Sequence, residues 1–401
     1  MRILFITDKF APERGGSQII FGQVYANLPE HQVTVVTRAW PGDAEYDAGY
    51  PHRVIRVPYA PIPKLRSPLL WKDLARQAHR LLASEPFDQV HCGQTVETAP
   101  AGAWLARRFD LPLLVHTFAE DVTTYIHHPF YGPIMRRGLT AAAVVTSISQ
   151  FTVEHLCRLG IQKDRVVLLY PGVTVGDWDR RPGADRLRER LELKDRKVIL
   201  TISRLIPRKG QDTMLRALPA VLQRVPEAVY VIVGGGPEEA RLRGLAKELG
   251  VERAVRFVGS IPNSDTSDYY HVSDVFAMPN REMPNGDIEG FGLVFLEAGI
   301  CGKPVIGGRS GGAVDAIAHG ESGYLVDPLD QRDLANRLVQ LLANPAHAAE
   351  LGAGGRRRVL ETFTWDNSGR TLHKASSLAS ALYRPPAPRG SAKSQPGSST
   401  A

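Results

Sequence analysis

The stretch NREMPNGDIEGFGLVFLEAGICGKPVIGGRSGG, residues 280–312, sets two glutamates eight positions apart, Glu289 and Glu297. Between them stand Gly290-Phe291-Gly292 and the apolar run Leu293 to Leu296. The pattern reads as a loop entering a buried helix at about Gly290, with glycines removing side chains where a ligand must meet the backbone. Unpaired N–H groups at a helix start form an anion site, and a diphosphate is the obvious guest. A fully helical segment of this length would rise roughly 12 Å, enough to bracket a diphosphate with a carboxylate on each side. An ionised carboxylate only accepts hydrogen bonds, which suits the hydroxyl pairs of a sugar or a ribose. The residues alone fit equally well a core helix with a salt-bridged Glu297 and an exposed loop Glu289.

On either side of this stretch, short apolar runs alternate with helical patterns. In the second half Val198–Ser203, Val229–Val233, Arg256–Gly259, Val275–Met278 and Ser322–Val326 read as strands. They interleave with helices at Glu238–Leu249, Leu334–Leu342 and Ala348–Leu360, and a last helix runs from Trp365 to Tyr383. In the first half Arg2–Thr7, Val33–Thr37, Arg53–Pro58, Asp88–Cys92, Leu113–His116 and Ala143–Ile148 alternate with helices such as Ile19–Leu28, Leu69–Leu82 and Thr98–Arg108. Such alternation predicts an α/β fold with two doubly wound, Rossmann-like domains. The expected boundaries are a first domain over 1–175, a linker over 176–194, a second domain over 195–364, the last helix over 365–383 and a disordered Pro/Ser/Gly-rich tail over 384–401. No G-x-G-x-x-G follows the first strand, so a dehydrogenase is disfavoured.

Composition narrows the function further. Hydrophobic residues make up 43% of 401, enough for two sizeable cores. Three scattered cysteines, Cys92, Cys157 and Cys301, suit neither a disulfide framework nor a metal site. The tail's three cations, Arg384, Arg389 and Lys393, leave only +4 of the +7 net charge for the folded part. No recognition motif accompanies that charge, so nucleic acid is not an expected partner. No signal peptide is read at MRILFIT and no apolar run reaches the ~20 residues of a membrane helix. A cytoplasmic protein, with peripheral contact on the inner membrane face open to it, is expected. Pro58–Trp71 mixes prolines, cations and apolar residues. It reads as a packed surface loop and helix start, or as an acceptor or membrane contact.

EGFGLVFLE resembles the E-x7-E signature of retaining family 4 glycosyltransferases, and CGKPVIGGRSGG resembles the segment that follows it. The resemblance extends over nearly the whole chain and implies the GT-B architecture, two domains facing across a cleft. It implies that Glu297 accepts from ribose hydroxyls, Glu289 from the donor sugar, and that N–H groups at Phe291, Gly292 and Leu293 touch the sugar or diphosphate. Arg204 and Lys209 match the family's paired cations, which would stabilise a departing diphosphate without a divalent metal. Gly16, in Gly15-Gly16-Ser17, matches the N-terminal glycine loop that approaches the donor diphosphate and acceptor; by itself it is an ordinary turn and helix cap. Gly259 ends a strand and loop that would flank the base. His116 ends a strand where a doubly wound sheet faces its ligand crevice, and it matches a catalytic-site histidine that the resemblance implies helps position the sugar or stabilise the transition state. Asp177-Trp178-Asp179 has a metal-holding D-x-D form but sits in the linker, so no metal is expected.

The expected function is transfer of a hexose, with retention, from a GDP- or UDP-sugar to a sugar, glycan or lipid-linked acceptor. The spacing RExxxxDxEGFGLVFLEA, residues 281–298, resembles bacterial mannosyltransferases of the phosphatidylinositol mannoside type. A sugar phosphorylase, a nucleotide-sugar epimerase or hydrolase, or a non-catalytic nucleotide-sugar-binding protein are the rivals on the same architecture.

Overall fold

A computed structural model of the chain describes residues 1–13, 15–28, 30–58, 66–176, 178–179 and 183–385, without the side chains of 66–69. Residues 59–65 of the Pro58–Trp71 stretch, Asp177 and residues 386–401 of the expected tail lie outside the described residues.

The first sheet consists of β1 (Arg2–Ile6), β2 (Gln32–Arg38), β3 (Arg53–Val57), β4 (Gln89–Cys92), β5 (Leu113–Thr117), β6 (Val144–Ser147) and β7 (Val166–Leu168). They pair in the order β3-β2-β1-β4-β5-β6-β7, every pair parallel. The second sheet takes β8 (Lys197–Ile202), β9 (Ala228–Val233), β10 (Val255–Gly259), β11 (Val275–Met278), β12 (Val305–Gly308) and β13 (Gly323–Val326). Its order is β10-β9-β8-β11-β12-β13, again all parallel.

Both faces of each sheet are covered, because successive strand side chains point to opposite sides. In β1, Leu4 and Ile6 join one core with Leu74, Leu105 and Leu139, while Ile3 and Phe5 join another with Phe21, Val24 and Leu372. In β8, Ile199 packs with Leu218 and Leu338, and Val198 and Leu200 pack with Phe276 and Leu296. The helix Trp365–Leu382 returns to the first sheet, burying Leu372, Ala375 and Ala379 against the helix Gly16–Ala26.

Chain order reverses direction between β1 and β4 in one sheet and between β8 and β11 in the other. These switch points open crevices beyond the strands' C-terminal ends, where doubly wound sheets bind ligands. The loops after β1 and β4 line the first crevice. The loops after β8 and β11, which carry Arg204, Lys209 and Glu289, line the second.

Candidate active site

The helix after β11 runs Leu293–Ile300 and starts three residues later than the reading at Gly290. Gly292 takes a left-handed φ of 92°, which a side chain would strain, and this ends the loop. Glu289 is therefore a loop residue and Glu297 a helical one, so the roughly 12 Å helical ruler does not apply between them. The loop is seated by glycines at the end of β12 and just beyond it. The Gly312 N–H donates to the Glu289 carbonyl at 2.9 Å, and Gly308 N–H donates to buried Asn280 Oδ1 at 3.2 Å. The GGRSGG segment is glycine-rich because backbone meets backbone here.

The Glu289 side chain is buried among cations. Its Oε2 accepts from Arg208 Nη1 at 2.7 Å and from Lys209 Nζ. Burial pushes the Glu289 carboxyl up, but Lys209 and Arg208 outweigh it and hold it below the usual carboxylate range. Lys209 is pulled below its ordinary value by burial and by Arg208 and Arg204, against the pull of Glu289. Arg204 is exposed and makes no side-chain hydrogen bond or ion pair among the described residues; its carbonyl accepts from Gln211 Nε2 at 3.1 Å. The expected cation pair is thus one buried, engaged lysine and one exposed arginine.

Arg208 was not singled out from the sequence. It is 7% exposed, and its Nε lies 3.0 Å from Asp287 Oδ1 while its Nη1 reaches Glu289. The partners stand about eighty residues apart in the chain, beyond any local pattern.

Glu297 accepts from Tyr270 Oη at 2.7 Å. Burial raises its carboxyl, and the Tyr270 hydrogen bond pulls the other way. Trp178, the central residue of the D-x-D segment, stacks edge-on against Tyr270, and Asp179 pairs with Arg356 at 3.0 Å. No group of three or more His, Cys, Asp or Glu among the described residues could hold a metal ion. The three cysteines are free.

This loop also meets the first domain. A β-carbon on Gly290 would come 3.1 Å from Ile148 Cδ1 and 3.5 Å from Ala119 Cβ, and one on Gly286 would come 2.8 Å from the Thr123 carbonyl. Gln150 N–H, at the start of the helix Gln150–Arg158, donates across the boundary to Asp315 Oδ2 at 2.7 Å. Gly16, exposed at the start of its helix, has open space around it, and so does Gly259 at the end of β10, whose carbonyl accepts from Gly234 at 2.8 Å.

His116 lies in β5 at 3% exposure with both ring nitrogens occupied. Gln89 Nε2 donates to the Ser376 carbonyl at 2.6 Å, so its Oε1 must accept from His91 Nε2–H at 2.9 Å. Tyr25 Oη then donates to His91 Nδ1 and accepts from His116 Nε2–H, both at 2.8 Å, and Thr146 Oγ1 donates to His116 Nδ1 at 2.7 Å. Burial pushes His116 down to about 3, so it is neutral, and no ring nitrogen is left for a ligand.

A second polar cluster stands at the first sheet's switch point, again unread in the sequence because its members are scattered. Oriented as its neighbours demand, the Gln94 amide donates to Asp8 and accepts from Lys9 Nζ at 3.0 Å. Burial disfavours the Lys9 ammonium, yet Glu97, Asp8, Asp121 and Glu120 raise it above its ordinary value. Glu97 is pushed up to about 8 by burial and by Asp8 and Asp121, and Asp121 up to about 6 by burial.

Two family models match the chain: "Glycosyltransferase Family 4" over residues 23–176 and "Glycosyl transferases group 1" over residues 184–358. The chain is 36% identical to the GDP-mannose-dependent alpha-(1-6)-phosphatidylinositol monomannoside mannosyltransferase of Mycolicibacterium smegmatis, over 92% of this chain and 97% of that one. Its fold is similar to that of HepE from Anabaena, solved in complex with UDP, with a TM-score of 0.77 at 22% identity, covering 94% of this chain and all of the other. Sucrose-phosphate synthase from Thermosynechococcus elongatus gives a TM-score of 0.73 at 25% identity, covering 95% of this chain and 99% of that one. With its two parallel sheets and the cation-held Glu289 loop between them, the chain belongs to glycosyltransferase family 4 and is a glycosyltransferase of GT-B fold.

Proposed function

We propose that the protein transfers mannose, with retention, from GDP-mannose to a hydroxyl of a phosphatidylinositol-mannoside-type lipid acceptor. The mannosyltransferase of Mycolicibacterium smegmatis supports this donor and acceptor, being similar over nearly the full length of both chains. A UDP-linked hexose and a glycan acceptor are the competing substrates. The observation that carries the reading is Glu289, buried against Arg208 and Lys209 at the second sheet's switch point and reached by the first domain's walls.

In this reading Glu297 accepts from the ribose hydroxyls and Glu289 Oε1, which takes no donor among the described residues, accepts from the sugar. The backbone at Phe291, Gly292 and Leu293 and the side chains of Arg204 and Lys209 hold the diphosphate, with no metal in the role. Gly16 allows close backbone approach from the opposite wall, and Gly259 does the same beside the base. His116 holds the end of β5 in place. The bond from the anomeric carbon to the phosphate oxygen breaks, and a bond to the acceptor oxygen forms on the same face. The acceptor's proton passes to the departing phosphate oxygen. Domain closure excludes water from the cleft.

In this reading a lipid acceptor is met by peripheral contact at the inner face of the membrane; among the described residues no helix is long and apolar enough to cross one.

A thermal-shift panel of GDP, UDP and ADP with their sugar conjugates tests the donor, followed by product NMR for the anomer. The reading expects selective stabilisation by GDP-mannose and an α-linked product. A product of inverted configuration, or release of free sugar without an acceptor product, would contradict it. Glu289→Ala should abolish transfer more than nucleotide binding, and Glu297→Ala should weaken both.

A further inference from the structure

Two cations converge on one oxygen of Glu289, and they are held very differently. Lys209 has Glu289 as its one ion-pair partner among the described residues, at the end of a flexible four-carbon stem. Arg208 has two, Asp287 through Nε and Glu289 through Nη1. Its backbone is fixed as well: the Arg208 carbonyl accepts from Arg281 N–H at 2.9 Å, and Arg281 is clamped by Asp212 at 2.8 and 3.0 Å. The Arg208 side chain is 8% exposed and Glu289's 11%, so a Glu289 carboxylate without a counter-ion would be strongly disfavoured.

A diphosphate arriving at the mouth of the Leu293–Ile300 helix competes with Glu289 for cations. Lys209 can answer by rotating its stem. Arg208 cannot without leaving Asp287 unpaired and Glu289 held by the flexible Lys209 alone. We propose that Arg208, anchored by Asp287, is a positioning residue that serves as the permanent counter-ion of Glu289, and that Lys209 is the exchangeable one, released to the donor diphosphate. This rests on the donor reading above. One cation keeps Glu289 ionised and fixes Oε2, leaving Oε1 for the sugar, while the other shifts to the leaving group where negative charge grows. Arg208 itself does not touch the donor.

The test compares wild type with Arg208→Ala, Arg208→Lys, Asp287→Asn and Lys209→Ala. Binding of bare GDP and UDP is measured by calorimetry, and kcat by initial rates across pH. Lys209→Ala should weaken the preferred diphosphate roughly 30-fold or more, while Arg208→Ala should change it less than about 3-fold. Arg208→Ala should lower kcat about 100-fold and move its acid limb up by about one pH unit, because Glu289 then faces Lys209 and the more distant Arg204 without its fixed partner. Asp287→Asn should move both in the same direction and less far. Arg208→Lys keeps the charge and guards against a misfolded alanine variant: its acid limb should stay near wild type, with kcat within about 10-fold. Arg208→Ala or Arg208→Lys weakening bare diphosphate as much as Lys209→Ala would overturn the inference. So would an unmoved acid limb with wild-type kcat in Arg208→Ala. Wild type that binds neither diphosphate would overturn the donor reading itself, and the inference with it.

Discussion

The Gly312 N–H donates to the Glu289 carbonyl at 2.9 Å, and a β-carbon on Gly312 would stand 2.0 Å from the Gly290 carbonyl oxygen. The loop after β12 thus sets the height of the loop that presents Glu289. Gly312→Ala should push the Glu289 loop away, with a stability loss of about 1–3 kcal/mol and a larger fall in kcat than in nucleotide affinity. Thermal unfolding and steady-state kinetics check this, and a variant with unchanged kcat would contradict it.

Tyr270 and Glu297 make a second prediction. The Tyr270 hydroxyl favours the ionised carboxyl, which burial otherwise raises. Without that donor, Glu297 binds its proton at higher pH and loses acceptor capacity for ribose. Tyr270→Phe should therefore weaken nucleotide binding more at pH 6 than at pH 8, by roughly 3- to 10-fold at the lower pH. Calorimetric titration at the two pH values reads it, and equal losses at both would count against the assignment.

Glu97 gives a stability test with a definite sign. Its folded-state value is pushed up to about 8 by burial and by Asp8 and Asp121, so between the ordinary 4.5 and 8 the folded protein holds a proton that the unfolded chain has lost. Stability contributed through this group falls as pH rises across that window. Glu97→Gln, which imitates the protonated acid, should raise Tm by about 2–4 °C at pH 8.5 and leave it unchanged near pH 4.5. A larger gain at the acid end would show the sign to be wrong.

The buried chain Gln89–His91–Tyr25–His116–Thr146 fixes both histidines as neutral Nε2–H tautomers. Burial holds His91 well below its ordinary value and His116 at about 3. Nitrogen-15 NMR of histidine-labelled protein should find two rings that keep this tautomer from pH 8 down to about pH 5. A ring at either position titrating near 6.5 would refute the network. Tyr25→Phe leaves His116 Nε2–H and His91 Nδ1 unpaired and should cost about 2–4 kcal/mol of stability.

Much of the fold could be read from the chain because its signals are local. Apolar runs such as Val198–Ile202 and Ala228–Val233 bury both faces, and glycine turns punctuate them. Two strands do not stand out in the sequence: β7, three half-buried residues directly after the short 3-10 turn Lys163–Arg165, and β12, whose last two residues, Gly307 and Gly308, belong to the glycine-rich run that reads as loop. The Leu293 helix start was misplaced because the deciding feature is the left-handed φ of Gly292, and EGFG does not say which glycine takes it. At the site, the family pattern singles out Glu289, Glu297 and Lys209 as candidates. The partners Arg208, Asp287 and Tyr270 do not stand out in the chain, since their contacts with these glutamates join segments far apart in sequence. Asp8, Lys9 and Glu97 likewise meet only because β1 and β4 lie side by side.

The central claim is that the second sheet's switch point grips a nucleotide sugar between Glu289 and Glu297. A crystal structure with the nucleotide sugar that stabilises the protein most tests it directly. The account predicts the diphosphate at the Gly292–Leu293 backbone with Lys209 on a phosphate oxygen, Glu297 on the ribose, and Glu289 on the hexose while still paired with Arg208. A diphosphate bound elsewhere, or a hexose out of reach of Glu289, would contradict it.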